Sequence, residues 1–223
     1  MTEQHTRTVD TLRRALGAPS STVRLQAALA AGTEPDPVLV ADLLERCRHE
    51  PDFYVRDMLT WALTRHDDAL TVPALLAELE SPIPQARSQA LHTLSKIGDP
   101  ATWTPTANSL LTDPDDEVAR SAWRLAVIVA AGPAVAEVAA ALITQLGRGG
   151  IDVQRSLSRA FVEIGETALP LVRAAQRSNV PEVRAHALAT EALMHDPESS
   201  FVVDVDAARR AAALGPAARL GTR

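Results

Sequence analysis

The feature that most constrains how this chain can fold is a phrase that returns about every thirty residues. It is a small apolar residue, usually followed by arginine, and then a helical apolar run. It opens at Val23-Arg24, Val55-Arg56, Ala86-Arg87, Val118-Ala119, Val153-Gln154 and Val183-Arg184, with successive openings 32, 31, 32, 35 and 30 residues apart. Self-similarity at such a period marks a repeat architecture, in which one unit cannot bury its apolar face without neighbours. The ends recur too. Ala31-Gly32, Ile97-Gly98-Asp99, Ala131-Gly132 and Ile164-Gly165 close four runs, and His66-Asp67 and His195-Asp196 close the other two. Glycine just past a helix can take the left-handed conformation that ends it, so all four glycines are predicted terminators. Asp52, Asp113 before Pro114, Ser81 before Pro82, and Ser178 or Asn179 before Pro181 are predicted caps at the starts.

A second set of helices is predicted between the phrases, over 6–17, 37–48, 69–80, 102–111, 134–146 and 167–177. Leu75, Leu76 and Leu79 have the spacing of an amphipathic face, as do Leu39, Leu43 and Leu44. Each repeat therefore reads helix, turn, helix. Hydrophobic residues make up 46% of the chain but aromatics only 3%, so the core must be built from Ala, Leu and Val. That composition suits closely packed helices and not strands, which favour β-branched and aromatic residues. Six helix pairs are expected over 1–195. Residues 196–223 break the period and are expected to form a cap and a flexible tail. Within them Phe201-Val202-Val203 would dock on the last hairpin, 206–214 form a short helix, and 215–223 fray.

The segment Ala86-Arg87-Ser88-Gln89-Ala90-Leu91-His92-Thr93-Leu94-Ser95-Lys96-Ile97-Gly98-Asp99 resembles the HEAT repeat, in the short bacterial form named after phycobilisome lyases. The resemblance runs over about residues 6–195 and implies an all-α, right-handed α-solenoid of about six helical hairpins. It is specific for fold and weak for function, because such arrays serve scaffolds, lyases, hydroxylases and DNA glycosylases alike. It also implies that the second helix of each pair lines a concave face. It implies further that Arg24, Arg56, Arg87 and Arg184 form a structural ladder, bonding to acidic groups or carbonyls of the neighbouring repeat. Asp52 is a candidate partner for Arg56.

Helical spacing then selects the residues on that face. The opening residue and those four, seven or eight, and eleven further on point inward; in the third repeat these are Ala86, Ala90, Leu94 and Ile97. Positions two and six further on share an outward stripe. The stripe reads Leu25 and Leu29, Asp57 and Trp61, Ser88 and His92, Arg120 and Arg124, Arg155 and Arg159, then Ala185 and Ala189. Four arginines from adjacent repeats fall together, a pattern suited to carboxylate or phosphate. The alternative is a solvated face with local pairing, for which Glu163, four residues beyond Arg159, is the obvious partner. Trp61 is either a partially exposed binding anchor or a core residue. Trp103 and Trp123 read as packing residues. Glu191 stands where Leu94 stands in the third repeat and needs a partner or solvent.

Partner-binding residues are thus expected at Asp57, Trp61, His92, Arg120, Arg124, Arg155 and Arg159, on a non-enzymatic scaffold or adaptor that binds an acidic protein segment. The alternative is a nucleic-acid-binding protein related to the alkylpurine DNA glycosylases, whose concave faces set Trp, Asp and Arg around an extruded base. A net charge of −6, few lysines and scarce aromatics weigh against it. Cofactors and metals are not expected. Cys47 is the sole cysteine, which excludes an internal disulfide and a cysteine metal site. Gly147-Arg148-Gly149-Gly150 lacks the strand context of a phosphate loop. His49-Glu50 is similar to one His-Glu pair of the deoxyhypusine hydroxylases, which need several. Residues 1–14 are polar and no run of about 18 apolar residues occurs, so a cytoplasmic protein without a membrane span is expected.

Overall fold

The computed structural model describes residues 3–198, 201, 209 and 210, and among them the chain is all-α, with twelve α-helices and no strand. The chain divides into two compact units, residues 1–110 and 111–223. The first unit holds the hairpins α1 (Glu3–Leu16) with α2 (Ser21–Thr33), α3 (Val40–His49) with α4 (Phe53–Arg65), and α5 (Asp68–Glu78) with α6 (Pro84–Ile97), followed by the short α7 (Pro105–Ser109). The second holds α8 (Asp116–Val129), the hairpin α9 (Pro133–Ile143) with α10 (Ile151–Ile164), and the hairpin α11 (Leu169–Ala175) with α12 (Pro181–His195). Second helices stack on one another: α2 on α4 and α4 on α6 in the first unit, α8 on α10 and α10 on α12 in the second. This is the repeat packing of an α-solenoid.

The helices predicted over 1–195 are present among the described residues, with one broken. In place of a helix over 102–111 the chain runs through a 3-10 turn at Pro100–Thr102, α7, and a second 3-10 turn at Leu110–Thr112. Pro105 explains the break, because proline disfavours helical backbone in the residue before it; Thr104 stays extended and caps α7 instead.

The caps differ in detail from expectation. Asp52 accepts from the N–H groups of Tyr54 and Val55 as predicted. The cap of α8 is Asp115, not Asp113; Asp113 accepts from the Asp115 N–H at 2.8 Å and shapes the turn before it. Ser81 and Ser178 likewise lie two residues before the cap positions Ile83 and Val180 and accept from their N–H groups, with Pro84 and Pro181 opening the helices.

Of the four glycines, Gly98 (φ 72°, ψ 19°) is the left-handed cap predicted, and Gly165 ends α10 at positive φ. Gly132 instead opens α9, because α8 already ends at Val129, with Ala130 as its cap. Gly32 lies inside α2, where it lets α4 approach. A Cβ there would come within 2.4 Å of Trp61 Cζ3 and 2.8 Å of the Ala62 Cα. The backbone contact cannot be relieved by a rotamer change. Gly32→Ala is therefore expected to destabilise by roughly 1–3 kcal/mol, measured as a lower urea midpoint; an unchanged midpoint would show that α2 and α4 separate freely.

Burial confirms the inward register in the middle repeats and corrects it at both ends. Val55, Ala86, Val118 and Val153 are buried, as are Ala90 and Leu94. Val23 is 43% exposed, because α2 turns Arg24 inward in its place. Ala185 and Ala189, assigned to the outward stripe, are buried because Phe201 packs on them and on Leu193. Phe201 thus docks on the last hairpin as predicted, its ring edge-on to His186. Of the predicted 206–214 helix only Arg209 and Arg210 are described, and both are helical. Val202, Val203 and residues 215–223 lie outside the described residues.

Candidate functional site

α8 and α10 each carry two arginines one turn apart, and the packing of the two helices brings all four to one groove in the second unit. Arg120, Arg124, Arg155 and Arg159 line it together with Ser156 and the carboxylates Asp152 and Glu163, around about 350 Å³. Asp57, Trp61 and His92 belong to the first unit and line none of it. Asp57 is exposed and His92 half-buried. Trp61 is 38% exposed, its inner edge against Gly32. Trp123 is fully buried and donates to the Leu111 carbonyl at 2.8 Å, as a packing residue should.

The groove is electrostatically unsettled. Burial, and then the neighbouring Arg120 charge, push the Arg124 guanidinium below its ordinary pKa; Glu117 only partly opposes them. Arg120 donates to Glu117 at 2.6 Å through one terminal nitrogen, but its Nε is buried without a partner. Arg155 reaches Asp152 at 3.4 Å, a loose contact. Among the described residues Arg159 forms no ion pair, and the Glu163 pairing that a solvated face would supply does not form. Ser156 was missed in the sequence because it lies off the chosen stripe, and Asp152 because it precedes the phrase; only its position three residues before Arg155 signals it.

Polar groups elsewhere are structural. Arg24 forks onto Glu50 with both bonds at 2.7 Å and reaches the carbonyls of Ala18 and Pro19 at 2.9 Å. Glu50, fully buried, also accepts from Arg46 at 2.7 Å and from the Asp52 N–H at 2.9 Å. Burial alone would raise the Glu50 pKa; the Arg24 and Asp52 hydrogen bonds and the arginine charges hold it below the ordinary value. Arg56, Arg87 and Arg184 donate to carbonyls five or six residues back, in the turn opening their own helices. The ladder's carbonyls lie within the repeat, and the Arg24–Glu50 pair crosses to the next one. Asp52 is not the partner of Arg56, since it is occupied capping α4. Glu191 finds its partners in Arg173, at 2.6 Å, and Gln176.

Three groups with catalytic associations are engaged otherwise. Glu50 is enclosed by arginines, so His49-Glu50 is not a ligand pair. The Cys47 thiol is buried and pushed up to about 12, first by burial and then by Glu78 and Glu50, so it stays protonated. Ser158 lies 3.0 Å from His186 Nε2, but both are buried, and Ser158 also bonds Thr190 at 2.7 Å. Among the described residues no group of three His, Cys, Asp or Glu side chains is placed to hold a metal, and no helix is long and apolar enough to cross a membrane. A groove of about 650 Å³ in the first unit, lined by Val9, Leu12, Leu29 and Leu39, is where the exposed Leu29 end faces.

The family model described as HEAT repeats matches residues 3–64 and 40–128. No curated protein matches the sequence. Among solved structures, an engineered protein from the Northeast Structural Genomics Consortium is 17% identical, covering 87% of this chain and 99% of its own, with a TM-score of 0.48. Human deoxyhypusine hydroxylase in complex with glycerol is 20% identical over 92% of this chain and 94% of that one, with a TM-score of 0.45. The complex of CpcE and CpcF of phycocyanin lyase from Nostoc sp. PCC7120 is 17% identical over 90% and 93%, with a TM-score of 0.36.

Proposed function

Because the chain belongs to the HEAT-repeat family, we propose that it is a non-enzymatic interaction scaffold that takes an acidic segment of another protein into the groove of Arg120, Arg124, Arg155 and Arg159. The observation that carries the reading is the convergence of four arginines from two packed helices in a chain of net charge −6. An array of cations in an acidic protein is not explained by overall composition. Arg155 holds its own carboxylate, Asp152, only at 3.4 Å, and Arg159 has no ion pair among the described residues. Arginine's planar fork pairs two-to-two with carboxylates, which gives both affinity and register. A net charge of −6 repels polyanions at long range, which disfavours nucleic acid, whose binding rests on a broad basic footprint. Trp61, with its outer face open, and the nearby Asp57 would make a separate contact; exposed tryptophans are frequent binding anchors.

The reading is tested with a fluorescein-labelled peptide rich in Asp and Glu, titrated by anisotropy against the full chain and an Arg124→Glu, Arg159→Glu variant. Both positions are on the exposed side of their helices, so the variant is expected to keep its helical circular dichroism. The expected result is a loss of affinity of at least tenfold, about 1.4 kcal/mol. Equal affinities for the two proteins would sink the proposal. Tighter binding to single-stranded DNA, with a steep salt dependence, would replace it by the nucleic-acid reading.

A further inference from the structure

Resting on that reading, we infer that the acidic feature the groove recognises is a phosphate monoester: a phosphorylated serine, threonine or tyrosine side chain of the partner. Three observations separate this from a run of plain carboxylates. First, the cationic charge is concentrated. Arg120 and Arg124 are close enough for the first to depress the ionisation of the second. A single carboxylate brings one charge and two oxygens. A phosphate monoester brings a charge of about −1.5 to −2 and three strong acceptor oxygens on one tetrahedral centre, so it can compensate arginines on α8 and α10 together. Second, donors remain to be used: Arg159 is unpaired among the described residues, and Arg155 holds Asp152 only at 3.4 Å. The Ser156 hydroxyl lines the same space and is a fifth potential donor.

Third, the groove carries its own carboxylates. Asp152 and Glu163 line it, and Glu117 pairs with Arg120 beside it. An extended acidic stretch would set carboxylates against these over its whole length. A compact dianion needs only one place among the four guanidinium groups, where the cations outnumber the two lining carboxylates. About 350 Å³ accommodates a phosphoryl group and part of the side chain that carries it. A nucleic-acid backbone fits less well, because each diester carries a single charge and the strand continues past the site on both sides over an acidic protein.

The test uses the full chain and three fluorescein-labelled probes. Two are the same acidic peptide with either phosphoserine or glutamate at its central position, and the third is a short oligothymidylate. The phosphopeptide is expected to bind at least tenfold tighter than the glutamate peptide, and Arg124→Glu, Arg159→Glu is expected to remove that preference. An Arg124→Lys, Arg159→Lys variant keeps the charge but loses the fork, and should retain only part of it. Equal affinity for the two peptides would overturn the phosphate inference and leave the acidic-segment reading standing. Failure of both peptides to bind would overturn both. Preference for the oligonucleotide would move the groove to nucleic acid and overturn both as well.

Discussion

Glu50→Ala is expected to lower the stability of the chain by about 3–5 kcal/mol, the usual effect of removing one member of a buried ion pair. Glu50 is fully buried and accepts from Arg24, Arg46 and the Asp52 N–H. Its loss leaves the Arg24 guanidinium, itself only 6% exposed, without a counter-charge in a space that water reaches poorly. Arg46 is less affected, because it can turn to solvent. The check is urea unfolding of Glu50→Ala, Arg24→Ala and the double variant. The double variant should cost clearly less than the two singles together, since neither then strands the other; strict additivity would mean that the pair is not coupled. The pH dependence has a defined sign. Glu50 has its pKa depressed in the folded chain, so its contribution is complete above the ordinary carboxylate pKa and is lost as pH falls through the folded value.

His186 gives the second large effect, in the opposite chemical sense. The Gly147 N–H donates to its Nδ1 at 3.0 Å, so the proton sits on Nε2, facing the Gln154 carbonyl and the Ser158 hydroxyl, each at 3.0 Å. Burial lowers its pKa from 6.5 to about 4, against the opposing hydrogen bond of the Gln154 carbonyl. The folded chain therefore holds the imidazole neutral while the unfolded chain takes up a proton near pH 6.5. Stability from this group is complete above pH 6.5 and declines as pH falls toward the folded value. The loss amounts to about 2 kcal/mol between pH 6.5 and 5, and about 3 kcal/mol by pH 4. His186→Gln can keep the bond from Gly147 but cannot titrate. Subtracting its pH profile from that of the parent isolates the effect from the carboxylates, and parallel profiles would show that His186 does not titrate differently in the two states.

Much of the candidate site was legible from spacing alone. Arg120 and Arg124, like Arg155 and Arg159, are four residues apart and therefore share a helix face whatever surrounds them. The period of the opening phrase then places the two helices as neighbours. What spacing could not show is how far each guanidinium is already compensated. The Arg159–Glu163 pair of the alternative, solvated-face reading does not form, while Asp152 and Glu117, three residues before an arginine, do engage. Side-chain pairing on a helix is decided by rotamers and neighbouring helices, not by the interval between residues. Asp57, Trp61 and His92 obey the same stripe rule as the arginines, yet they lie in the other compact unit, and a position rule carries no information about where a chain divides.

The sequence by itself determined the repeat, the helices and their inward faces in the middle of the chain, because period, capping and amphipathic spacing are local properties of consecutive residues. Tertiary structure alone decided the ends and the exceptions. Val23 faces out because Arg24 turns in to meet Glu50, and Ala185 and Ala189 face in because Phe201 covers them. Gly32 is not a helix terminator but the point where α2 meets Trp61 and Ala62. Each depends on a residue from 12 to 30 positions away in the chain, and burial is a property of what arrives to cover a surface, which no window of consecutive residues contains.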